Sequence, residues 1–128
     1  MNERFTITNV SKGKLPRLPF DKIKEAALGK HYALSVVIVG NARSRALNRH
    51  YRGKDKPTNV LSFPLEQSAG ELFLNAPYIK REALDLGRSY KKHLACLFIH
   101  GLLHLKGMLH GSTMEGKEKK FQRDFKIS

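Results

Sequence analysis

"HLACLFIHGLLHLKGMLHG", residues 93–111, is the most apolar stretch of the chain, and three histidines interrupt it from residue 100 onward. Leucine, isoleucine, phenylalanine and alanine fall all round a helical wheel here, so a helix built from them has no solvent face and must be buried. Continued back through "SYKK", the run predicts one buried helix over about 89–106. Gly107 stands where that helix should stop, because glycine tolerates the left-handed conformation that ends a helix and turns the chain back. The rest of the chain has to supply the layers that cover it.

Upstream, "YALSVVIV" (32–39) is β-branched and apolar enough for a central strand, while "RFTITNV" (4–10) alternates as a strand does. "NVLSFPLE" (59–66) and "ELFLN" (71–75) read as two more strands, separated by the turn-like "QSAG". Helical spacing marks "LPFDKIKEAALGK" (18–30), opened by Pro19 and capped by Asp21, and "GNARSRALNRHY" (40–51) follows a Gly-Asn turn. "RGKDKPT" (52–58) reads as an exposed loop, "APYIKREA" (76–83) as a helix and "TMEGKEKKFQRDF" (113–125) as a charged terminal helix. With 128 residues and neither repeats nor low-complexity tracts, the chain suits a single domain. The expected fold is α+β, about four strands packed by helices, with the buried helix carrying the histidines.

The 24 Lys and Arg outnumber the 11 Asp and Glu, for a formal charge of +13. Such a surplus on a small body creates a positive field that selects anionic partners, nucleic acid ahead of an anionic membrane or an acidic protein. The single cysteine, Cys96, excludes an intrachain disulfide and reads as a small buried hydrophobe. The start "MNERFTITNV" lacks the pattern of a secretory signal, and no apolar run approaches the roughly 18 residues of a membrane span, so the expectation is a soluble cytoplasmic protein.

A lone histidine in an apolar helix is more often a hydrogen-bonded core residue than a ligand. His100 and His104, however, lie four apart and leave one helix face a turn apart. Beyond the turn at Gly107, His110 can return to the same point, completing H-x-x-x-H-x-x-G-x-x-H. Burying three neutral imidazoles without a common partner is costly, and three nitrogen ligands leave open the fourth position of zinc's tetrahedron, as catalytic sites require. One zinc per chain is therefore expected. His31, His50 and His93 have no such companions and read as surface or packing residues. The spacing matches the zinc helix of metzincin proteases, except that Gly101 stands where the protease has its general-base Glu. A metzincin-like protease is accordingly the weakest reading.

Two further stretches carry a resemblance. "LNRHYRGKDKPTNVLSFP" (47–64) and "HGLLHLKGMLH" (100–110), joined by "GELFLNAPYIKREA" (70–83), are similar in order and content to the signature segments of the YbeY family, metal-dependent endoribonucleases of bacterial ribosomal RNA maturation. The resemblance implies that His100, His104 and His110 are zinc ligands and that Arg52 serves the reaction. Its guanidinium suits a two-pronged grip on a phosphate, although Arg52 with Arg43, Arg45 and Arg49 otherwise reads as a solvated basic face. Lys54 and Lys56 belong to the adjoining loop, and Lys91, Lys92, Lys117, Lys119, Lys120 and Arg123 are candidates for a wider RNA face. Thr58, Ser62 and Phe63 are expected to shape the loop and core.

The chain departs from the family pattern at Met108-Leu109 in place of Tyr-Asp, at Asn59 in place of Asp, and in the weakly acidic "GSTME" after the last histidine. Leu109 removes a carboxylate able to orient a ligand, which bears on catalytic vigour more than on metal binding. The implied function is a zinc-dependent, single-strand-specific endoribonuclease acting on ribosomal RNA or ribosomal particles. Attack by water or by the 2′-hydroxyl both remain open. The second reading is a ribosome-associated assembly or binding factor whose zinc mainly secures the fold. Nothing in the sequence specifies an oligomeric state.

Overall fold

The structure is a computed structural model that describes residues 4–108 and 111–127. The chain runs β1 (Phe5–Asn9), α1 (Phe20–Leu28), β2 (Ala33–Val39), α2 (Asn41–Arg52), β3 (Val60–Glu66), β4 (Ala69–Asn75), α3 (Ala76–Asp85), α4 (Tyr90–Leu105) and α5 (Ser112–Asp124). The strands form one mixed sheet in the order β1-β2-β4-β3, in which β1, β2 and β4 are parallel and the edge strand β3 is antiparallel to β4. The α+β expectation holds, with four strands and five helices among the described residues.

Alternation in β2 and β4 turns Leu34, Val36, Ile38, Leu72 and Leu74 to one face, where they meet α1 and α4. The helix α4 lies at the centre of this core: Leu94, Phe98, Ile99 and Leu102 are fully buried, and Phe98 meets Phe20 of α1 edge-to-face at 5.0 Å between centroids. Ser89 caps its start by accepting from the Lys92 amide at 3.1 Å. Its end is set by Gly107 at φ 97, with Gly107 N donating to His104 O at 2.9 Å and Met108 N to Leu103 O at 3.0 Å. These two bonds are the paired closure of a glycine-terminated helix.

Several expected details are corrected. Asp21 does not cap α1; Pro19 occupies the cap position and Asp21 lies in the first turn, where a carboxylate complements the helix dipole. The turn after β3 is only Gln67 and Ser68, since Ala69 and Gly70 pair in β4. Cys96 is half-buried rather than buried. Among the described residues no helix is long and apolar enough to cross a membrane.

Candidate metal centre and cleft

One turn of α4 brings His100 and His104 together as expected: their Nε2 atoms are 3.0 Å apart, with ring planes at 84°. His110, the third expected ligand, lies outside the described residues, as does Leu109. Among the described residues no third His, Cys, Asp or Glu completes a metal-binding group.

The far nitrogens decide the protonation of the pair. His100 Nδ1 lies 3.0 Å from Glu118 Oε2 on α5, and His104 Nδ1 lies 3.2 Å from the Met108 carbonyl, which the turn at Gly107 carries back beneath the helix. An ionised carboxylate and a carbonyl only accept, so each Nδ1 carries a proton and donates. In a neutral ring of that tautomer Nε2 is an acceptor, and the two Nε2 atoms face one another. Two nitrogens bound tetrahedrally to zinc at about 2.05 Å stand about 3.3 Å apart, within a few tenths of the separation seen here. The donor set fits a borderline-soft divalent ion, and Glu118 fixes the orientation of the His100 ring through its far nitrogen. Glu118 was not legible as a site residue. Its distance of eighteen positions from His100 is set by how α5 packs on α4.

The histidines open into a cleft of about 550 Å³ whose other walls include Arg52, Thr58, Asn59, Ser62 and Phe63. Arg52 is the last residue of α2, and Gly53 at φ 68 turns the chain away behind it. The following loop is tied down at three points. Asn48 donates to Lys56 O at 2.8 Å, Ser44 Oγ donates to Thr58 O at 2.9 Å, and Arg45 grips both Asp55 oxygens at 2.8 and 3.0 Å. The Arg45 hydrogen bond holds the Asp55 carboxyl below the usual carboxylate range. Arg49 also approaches Asp55, at 3.9 Å, so of the four α2 arginines it is Arg52 that lines the cleft. Phe63, expected to shape the loop and core, is half-buried and lines the cleft from the edge strand β3.

Gly101 brings the helix down onto the sheet. Ser62 Oγ donates to Gly101 O at 3.2 Å, and a Cβ there would collide with the Leu72 side chain and stand 3.3 Å from Ser62 Oγ. A side chain at that position requires Leu72 to move. On the other side of His100, a second groove of about 350 Å³ reaches Cys96 and Glu118. It adjoins a buried polar network that includes His93, which is packed and bonded, not on the surface. Glu82 Oε1 takes His93 Nε2–H at 2.6 Å and Asn59 Nδ2–H at 3.0 Å, while Arg88 bonds His93 Nδ1 and Cys96 Sγ at 3.3 Å each. Burial pushes the Glu82 carboxyl up, but the bonds from Asn59 and His93 outweigh it and hold the group below its ordinary range. Asn59 is thereby explained: an aspartate in its place would face Glu82 with a like charge. Of the basic residues expected to widen the RNA face, Lys119 lines this second groove beside His100, whereas Lys91 and Lys92 border a separate groove with Lys126, and Lys120 is paired with Asp124 at 2.9 Å.

A mixed-sheet α+β domain with paired histidines on a buried helix, beside an arginine-lined cleft, defines the class. The family profile described as Endoribonuclease YbeY matches residues 9–127, and the chain belongs to that family. It is 45% identical over 96 residues to a protein named Endoribonuclease YbeY from Aromatoleum aromaticum, an alignment covering 73% of this chain and 62% of that one. The chain thus spans less than two thirds of that relative's length. A namesake from Alkalilimnicola ehrlichii is 40% identical over 127 residues, covering 84% and 76%. The solution structure of a Thermotoga maritima protein superposes with a TM-score of 0.67 at 28% identity, covering 94% of this chain and 89% of the other.

Proposed function

We propose that this chain is a zinc-dependent endoribonuclease cutting single-stranded segments of ribosomal RNA, with His100, His104 and His110 as the zinc ligands and Arg52 in the reaction. The observation that carries this reading is the pair of Nε2 atoms 3.0 Å apart whose opposite nitrogens are turned to acceptors, opening on the cleft that holds Arg52. Family membership and the charge of +13 support an RNA substrate. Zinc held by neutral imidazoles supplies Lewis acidity toward a phosphoryl oxygen and acidifies water. Glu118 and the Met108 carbonyl keep both imidazoles in the ligating tautomer. Arg52 binds the phosphate and offsets the charge that gathers on its oxygens as the ester bond breaks. The bonds from Asn48 and Ser44 fix the loop that follows Arg52 at the cleft wall.

The metzincin-like alternative is disfavoured by packing as well as by identity, since any side chain at position 101 would have to displace Leu72. The test is cleavage of a single-stranded oligoribonucleotide and of an unstructured peptide by zinc-loaded protein, with and without chelator. Chelator-sensitive RNA cutting with intact peptide is expected. Cut peptide and intact RNA would overturn the proposal.

A further inference from the structure

Helix α4 covers one face of the sheet, and the opposite face carries a row of aromatic rings. Leu61 pairs with Phe73 and Phe63 with Glu71, which puts Phe63 and Phe73 diagonally adjacent on that face. Their ring centroids are 5.7 Å apart. Tyr51, in the last turn of α2, extends the row at 4.9 Å from Phe63 and 4.5 Å from His50. The Tyr51 side chain fills no core: the residue is 61% exposed. Phe63, by contrast, is part of the cleft wall shared with Arg52, His100 and His104. The aromatic row therefore starts inside the cleft and runs outward to the surface.

The surrounding charge selects the occupant. Arg43, Arg49, Arg52, Lys54 and Lys56 are exposed on α2 and its following loop. Asp55, the acidic residue among them, is engaged by Arg45. Glu71 lies across the strand from Phe63, so an anionic backbone is favoured along the α2 side of the row and not over β4. Exposed rings beside a line of cations suit a polyanion that carries flat apolar groups at regular intervals. A single-stranded nucleic acid has that chemistry, whereas a duplex keeps its base faces stacked inside.

We propose that Tyr51 and Phe63 form a stacking platform for the unpaired bases flanking the phosphodiester held in the cleft. The inference rests on the nuclease reading and adds to it: selection for single strands arises from these rings, while the metal and Arg52 act on the phosphate. Duplex RNA cannot offer a base to Phe63 without unpairing, and pairing of the flanking nucleotides is therefore expected to suppress binding at the cleft.

The experiment uses the full chain in chelator, so that neither strand is cut, and two labelled oligoribonucleotides of equal length, one intact and one abasic along its centre. Binding is followed by fluorescence anisotropy at one fixed salt concentration. Tyr51→Ala is expected to weaken binding of the intact strand by about tenfold or more while leaving the abasic strand unchanged, and Tyr51→Phe should bind both as the natural chain does. Phe63→Leu, which keeps an apolar side chain between Tyr51 and Phe73, should weaken the intact strand in the same selective way. Unchanged binding of the intact strand by Tyr51→Ala, or an equal loss for both strands, would overturn the platform and leave the nuclease reading standing. Failure of the natural chain to bind either strand would remove both. A poly-glutamate peptide that binds more tightly than RNA, and loses that affinity in Tyr51→Ala, would assign the rings to an acidic protein partner and overturn the platform.

Discussion

Replacing Gly101 with alanine adds one methyl group where α4 crosses β4, and the outcome is set by two opposed effects. Alanine favours a helix interior over glycine by about 1 kcal/mol. The added Cβ, however, collides with the Leu72 side chain and comes within 3.3 Å of Ser62 Oγ, so the fully buried Leu72 must shift within the core. Forcing an extra carbon into a filled core costs about 1–3 kcal/mol. The net expectation is destabilisation of about 1 kcal/mol. Gly116, exposed on α5 with nothing within 4 Å of its ideal Cβ, supplies the control. There alanine should stabilise by about 0.5–1 kcal/mol. Thermal unfolding of both variants, measured in chelator so that metal binding does not contribute, should show melting points moving in opposite directions. At roughly 4 °C per kcal/mol for a chain of this size, they should differ by several degrees. Equal increases in the two variants would refute the close contact between α4 and the sheet, and with it the need for a side chain at position 101 to displace Leu72.

Glu118→Gln should keep the fold but lower zinc affinity by about tenfold or more, because His100 then donates to a neutral acceptor; competition with a colorimetric chelator measures it. Arg52→Ala should reduce turnover at saturating RNA by roughly a hundredfold, about 3 kcal/mol of lost transition-state stabilisation, while RNA affinity changes little. Arg45→Ala is the contrast for Arg52→Ala, since Arg45 is committed to Asp55 and is expected to leave turnover nearly intact. Glu82→Ala should cost about 2 kcal/mol at neutral pH by leaving buried His93 without its acceptor, as denaturant unfolding would report. Because the folded Glu82 carboxyl lies below its ordinary value of 4.5, the stability it contributes is complete above that pH and is lost as pH falls through the folded value. The natural chain should consequently lose stability in acid more steeply than Glu82→Ala.

The parts of the fold that were legible rest on local periodicity. The run from Leu94 to Leu105 is apolar all round and became the central helix, and the β-branched 32–39 segment became the inner strand β2. The His100–His104 pairing followed from helix geometry alone, and Gly107 from the backbone conformation a helix stop demands. What escaped depends on contacts between elements distant in sequence. Glu118 reaches His100 only because α5 packs beside α4, and His93 is bonded only because α3 delivers Glu82 to it. Lys24 shows a different limit. It occupies the buried stripe Phe20, Ile23, Lys24 and Ala27 at helical spacing, and its ammonium ends on the Lys30 carbonyl at 3.1 Å, with burial lowering its proton affinity. Periodicity marks that position as inward, but only the turn after α1 supplies the acceptor that makes a lysine tolerable there.

Zinc content per chain tests the metal centre most directly. Protein purified, dialysed against excess zinc and then freed of unbound ion should carry about one zinc, and His100→Ala combined with His104→Ala should carry none, because neither remaining arrangement offers paired imidazoles to a tetrahedral ion. Full zinc occupancy in the double variant, or none in the natural chain, would contradict the metal centre on α4.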